Sequence, residues 1–140
     1  MSTNTIFTHP GVLTVAYHSA QRCAVAHYDK LSTPAIREAI EKGLAAAGKA
    51  GARTWVIDLT RNPGVPTQAD AEWIETEAVR LVIANRITAV VNLHGASAVA
   101  KIGSKRWSKS AAVAVLSMYD TDSLDAALEL ASEVASGRAN

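Results

Sequence analysis

The run Thr54-Trp55-Val56-Ile57-Asp58-Leu59 carries large apolar residues at consecutive positions and closes on an aspartate. A strand with one wet face alternates polar and apolar residues, and this run does not. It therefore predicts a strand buried on both faces, the signature of a parallel sheet covered by helices on each side. The stretch that follows, Thr60–Pro66 (TRNPGVP), is a loop by its proline and glycine content. From Thr67 to Asn85 the pattern turns helical, with Ile74, Ala78, Leu81 and Val82 on one face. Thr67 and Asp70 have the spacing of a capping box. On the other side of the run, Ile36, Ile40, Leu44 and Ala47 form a second helical stripe. Thr33-Pro34 supplies a start signal and Gly48 and Gly51 supply stops.

Further out, Val12–Tyr17 and Arg22–Tyr28 are β-rich runs separated by His18-Ser19-Ala20-Gln21, which predicts an N-terminal hairpin. Ile87–Leu93 predicts another buried strand, Ser97–Ser108 a helix, and Ala111–Met118 a further strand. Asp122–Ser136 predicts a closing helix, with Asp122 as its cap and Leu124, Leu128, Ala131 and Val134 inward. The expected fold is α/β: an N-terminal β-hairpin, then alternating helices and mainly parallel strands, about five to six strands and four helices in all. No repeat or linker divides it, so residues 1–140 are expected to form one domain.

Composition narrows the function classes. A hydrophobic fraction of 49% against 19% charged residues belongs to a chain that closes a core. Fourteen basic residues against 13 acidic ones leave +1, too little for a global nucleic-acid or anionic-membrane footprint. One cysteine, Cys23, excludes an internal disulfide and a thiolate cluster. Apolar runs such as Leu81–Ala84 and Ala111–Leu116 are too short to span a bilayer, and MSTNTIFTHPG lacks the marks of a signal peptide. The expectation is a cytoplasmic protein.

Four places resemble the STAS domain, the fold of anti-sigma-factor antagonists and stressosome proteins. YDKLSTPAIREAI (Tyr28–Ile40) resembles the strand-to-helix segment early in that family, and TWVIDLT (Thr54–Thr60) its central strand. The loop into the helix at Thr67 holds the place of the regulatory switch. MYDTDSLDAALELA (Met118–Ala131) resembles the last strand, acidic turn and closing helix. The resemblance implies a SpoIIAA-like regulatory domain without enzymatic activity or cofactor, whose partner is a kinase or an anti-sigma-like regulator. It also implies partner-binding roles for Asp58, Thr60, Thr67, Gln68 and Trp73. The chain departs from the pattern at the switch, where Pro66-Thr67-Gln68-Ala69 lacks the usual acidic residue and glycine, leaving Thr67 as the one phosphorylatable hydroxyl.

Read from the residues alone, Thr67 is first a helix N-cap and second a phosphorylation site, where about −1.5 to −2 charges would meet unpaired N–H groups. His9, His18, His27 and His94 show no metal-binding spacing, so no metal site is expected. His27 and His94 follow strand ends, which places both toward the sheet edge where α/β proteins bind ligands. Cys23 has no base beside it. Lys101, Lys105, Arg106 and Lys109 surround Trp107 with no acid among them: a solvated helix face first, an anion or partner patch second. The leading expectation is a non-enzymatic regulatory or scaffold domain that binds a protein through the loop and helix near Thr67. The alternative is a small-ligand or lipid-binding SpoIIAA-like or SEC14-like domain. A homodimer is expected from the short apolar patch Thr5–Phe7 beside an edge strand and from an outward-leaning Trp73.

Overall fold

A computed structural model describes residues 3–93 and 116–137. Six strands lie in one sheet in the order of the chain: β1 (Thr3–His9), β2 (Leu13–His18), β3 (Cys23–Tyr28), β4 (Thr54–Asp58), β5 (Ala89–Leu93) and β6 (Ser117–Thr121). β1, β2 and β3 pair antiparallel, whereas β3 through β6 pair parallel. The sheet is thus mixed rather than mainly parallel. The described residues hold three helices instead of four: α1 (Ile36–Ala50), α2 (the consecutive segments Gln68–Trp73, Ile74–Ala78 and Val79–Ala84) and α3 (Leu124–Ala135). The helix expected at Ser97–Ser108 lies outside the described residues, as does most of the strand expected at Ala111–Met118. The described strand there is Ser117–Thr121, which overlaps that expectation by its first two residues.

The central strands are dry on both sides, as the TWVIDL run demands. Successive side chains alternate between faces. Ala24, Ala26, Tyr28, Trp55 and Val90 meet Ile36, Ile40, Leu44 and Ala47 of α1 and Ala78, Val79 and Val82 of α2 in the larger core. On the opposite face Cys23, Val25, Val56, Val91 and Leu93 meet Ala127 and Ala131 of α3. Gly43 lets α1 lie close: a Cβ there would stand 3.2 Å from the side chains of Leu13 and Val15 and 3.4 Å from Trp55. Tyr28 is buried beside Trp55, and burial pushes its hydroxyl well above the ordinary value, partly offset by the hydrogen bond with the Trp55 indole.

Several starts and stops differ from their sequence signals. α1 begins at Ile36 with no side-chain cap, because Thr33 and Pro34 are used up in the turn before it, where Ile36 N–H reaches Thr33 C=O at 3.1 Å. α3 is capped by Ser123, whose hydroxyl accepts from Ala126 N–H at 3.1 Å, not by Asp122. β1 extends the Thr5–Phe7 patch into a full edge strand. Its bulge between Thr5 and Phe7 lets Ile6 and Phe7 both lean on the core. α2 carries a π-helical turn over Ile74–Ala78, where Thr76 donates to the Glu72 carbonyl at 2.9 Å. The wide turn advances the inner face, so Ala78, Val79 and Val82 are buried while Ile74 and Leu81 are half-buried. Among the described residues no helix is long and apolar enough to cross a membrane.

Trp55 is 1% exposed, whereas Ile57 on the same strand is half-buried rather than a full core residue. Trp55→Ala is therefore expected to cost about 3–5 kcal/mol and Ile57→Ala less than about 2 kcal/mol. Urea denaturation of both variants checks this, and equal losses would contradict the burial order.

Candidate functional site

β3 and β4 run parallel, and their register sets His27 beside Asp58 on the face that α3 covers, at the carboxyl ends of the strands. That edge is where open α/β sheets place ligand sites. His27 Nδ1 lies 2.5 Å from Asp58 Oδ2. The other carboxylate oxygen accepts from Thr60 twice, from its N–H at 2.9 Å and its hydroxyl at 2.6 Å. Burial pushes the Asp58 carboxyl upward, but the hydrogen bonds from His27 and Thr60 outweigh it and hold the group below its ordinary value. An ionised Asp58 accepts from His27 Nδ1–H and orients the ring. The His27 side chain is 21% exposed against 7% for Asp58, so water reaches the ring more readily than the carboxylate.

Other reactive groups near this pair are few. Cys23 shares its face of β3 but is buried, and burial pushes its thiol up to about 12. His18, at the far end of β2, is shifted down by burial and by the field of His27, and its Nδ1 meets Thr3 Oγ1 at 3.2 Å. Among the described residues no three His, Cys, Asp or Glu side chains gather as metal ligands would.

The loop after Asp58 is pinned and then released. Leu59 N–H bonds Leu93 C=O at 2.9 Å, Arg61 pairs with Asp29 at 2.8 Å, and the buried Pro63 accepts from Leu31 N–H at 3.0 Å. Asn62 and Gly64 take positive φ, and Val65 stands 41% exposed. Thr67 then caps α2, its hydroxyl oxygen accepting from Asp70 N–H at 3.1 Å, as its spacing predicts. The reciprocal half of the capping box is missing, because the Asp70 carboxylate accepts from Arg37 Nε of α1 at 2.7 Å instead. The Arg37 guanidinium also stands 5.9 Å over the Trp73 ring. Gln68 is exposed, Trp73 is half-buried against the larger core, and no residue of Gln68–Trp73 is fully buried. The cap, the ion pair and the cation–π contact are each worth about 1 kcal/mol or less at such exposure. The first turns of α2 therefore rest on polar ties to α1 more than on the core.

The five residues expected to form a site thus fall into two groups on one segment. Asp58 and Thr60 form a closed turn with His27. Thr67, Gln68 and Trp73 form the outward start of α2. From the sequence His27 is only an edge histidine, because its partner at Asp58 lies 31 residues away and depends on the register between two strands. Lys101, Lys105, Arg106, Trp107, Lys109 and His94 lie outside the described residues. Comparison with protein-family models, curated proteins and solved structures finds no match for this chain.

The Asp58 cluster has a pH signature. A carboxyl held below its unfolded value, about 3.9, stabilises the fold above that pH and loses the contribution as pH falls through the folded value. Asp58→Asn is expected to lower stability at pH 7 and to flatten its fall below about pH 4. Urea titrations at pH 7 and pH 3 measure both, and parallel profiles for variant and parent would refute it.

Proposed function

We propose that this domain is a non-enzymatic, STAS-like regulatory or scaffold module that docks a protein partner through the Thr60–Thr67 loop and the first turns of α2. The observation that carries the reading is the outward presentation of Gln68–Trp73. This segment buries no residue fully, holds a half-exposed tryptophan, and follows a loop that displays Val65. Aromatic anchors ringed by polar groups are what protein interfaces use. Thr67 stands exposed at the helix start, where a phosphate from a kinase partner would find the N–H groups of the first turn. Asp58 and Thr60 act in this reading as the rigid base of the loop. The partner is a kinase or an anti-sigma-like regulator, and the setting is the cytoplasm.

A second reading rests on a separate observation. An imidazole oriented by a buried carboxylate at the carboxyl edge of a sheet suits a polar anchor for a small ligand. Native mass spectrometry of the purified chain separates the two, since a stoichiometric bound small molecule supports this reading alone.

Photo-crosslinking tests the docking surface. Probes placed at Val65 and Gln68 are expected to give one defined adduct with a cellular protein, and a probe at Glu129 of α3 none. Equal labelling from all three positions would sink the proposal. Self-association belongs to the same reading, because β1 is an uncharged edge strand and Trp73 is only half-buried. Light scattering is expected to give about twice the 14.7 kDa of one chain; a mass that stays at 14.7 kDa on concentration rules the dimer out.

A further inference from the structure

The opposite, amino edge of the parallel strands carries a cluster that the docking surface does not use. Arg22 immediately precedes β3, Arg53 immediately precedes β4, and Arg86 stands between α2 and β5. Their backbones are laced together: Arg53 N–H reaches Arg22 C=O at 2.8 Å, and Thr88 N–H reaches Arg53 C=O at 2.9 Å. The three arginines line one cleft of about 450 Å³ with Asn85, Thr88 and Gly51, and none of its lining residues is acidic. The Arg22 guanidinium lies over Gly51, 3.9 Å from where a Cβ would stand.

Each guanidinium offers five N–H donors. The ion pairs of the described residues use His27, Arg37, Lys42, Arg61 and Arg80, and none uses these three arginines. Their side chains make no hydrogen bond among the described residues either. Arginines at helix ends often serve the last carbonyls, and α1 and α2 both end here. The arginine side chains make no hydrogen bond to those carbonyls, several of which have other partners. Gly51 N–H reaches Ala47 and Gly48, Ala52 N–H reaches Ala47, and the Asn85 side chain donates to Leu81 at 2.8 Å. Capping therefore does not account for the cluster. Arg22 and Arg86 also sit at φ 51° and 64°, a conformation that glycine or asparagine adopts more easily. The chain keeps arginine there in spite of that backbone cost.

We propose that this cleft binds a small soluble polyanion carrying at least two linked phosphate groups. Neighbouring strands lie about 4.8 Å apart, so arginines entering on three successive strands are spread over about 10 Å. A single phosphate is too small to engage all three, whereas a diphosphate spans them, with the second N–H of the Asn85 amide adding a neutral donor. A concave site with three forked cations suits a compact anion better than it suits a flat membrane.

Isothermal titration of the full chain with inorganic pyrophosphate at low salt tests the site, with inorganic phosphate and phosphatidylserine vesicles as separate arms. Pyrophosphate is expected to bind more tightly than phosphate. Arg53→Gln, Arg22→Gln and Arg86→Gln should each weaken it about 10- to 100-fold, the usual size of one lost charge-assisted contact. Arg80→Gln, on α2 outside the cleft, should change nothing. Melting curves establish that the variants fold, and the exposed Arg86 provides a variant that leaves the packing intact. The proposal falls if pyrophosphate does not bind at millimolar concentration, if Arg80→Gln weakens binding as much as Arg86→Gln, or if only the vesicles bind.

Discussion

Trp55 and Val56 are neighbours in sequence and point to opposite faces of β4, yet both are out of water. Leaving either face wet would expose apolar area at about 25 cal/mol per Å². α1 and α2 must therefore cover one side and α3 the other. Covering both sides of a strand ladder removes its faces from use and leaves its two ends as the places where side chains meet solvent. The carboxyl end gathers His27, Asp58, Thr60 and the start of α2, while the amino end gathers three arginines. The division of chemistry between the two ends thus follows from how the middle is buried.

The ends differ in kind. At the carboxyl end the charges of the candidate site are paired: Asp58 with His27 and Thr60, Asp70 with Arg37, and Arg61 with Asp29. Such satisfied pairs fix a loop in place and add little net stability at the surface. At the amino end like charges are collected with no carboxylate among them. Collected like charge costs energy until an opposite charge arrives, so the two ends invite different partners. The docking surface proposed above lies at the first end and the proposed anion cleft at the second.

The parts legible in the sequence were those fixed by local spacing. The double burial of TWVIDL, the Ile36–Ala47 stripe, the hairpin and the Thr67 cap each depend on residues a few positions apart. The parts that escaped depend on register or on competition. His27 and Asp58 meet because β3 and β4 pair with no offset between those residues, and the three arginines meet because three turns stack at one edge. Ser123 displaced Asp122 as a cap because either residue type serves and only the backbone entry angle chooses. Asp70 had a second suitor in Arg37, which the capping-box pattern takes no account of. Thr76 sits mid-helix with its hydroxyl turned back on the preceding turn, a habit that loosens a helix without marking where it will widen.

That widened turn has a consequence for how the outer surface of α2 is inherited. Residues of an α-helix are set about 100° apart around its axis. A π-turn absorbs one additional residue, so the Gln68–Trp73 portion keeps nearly the facing it would have on a regular helix one residue shorter, relative to the Val79–Ala84 portion that grips the sheet. Losing a single residue between Ile74 and Ala78 would restore a regular helix and leave Trp73 facing much as it does, whereas losing one elsewhere between Trp73 and the gripping turns would swing it by about 100°. The wide turn is therefore the one place in α2 where the chain can shorten by a residue and keep the aim of this surface.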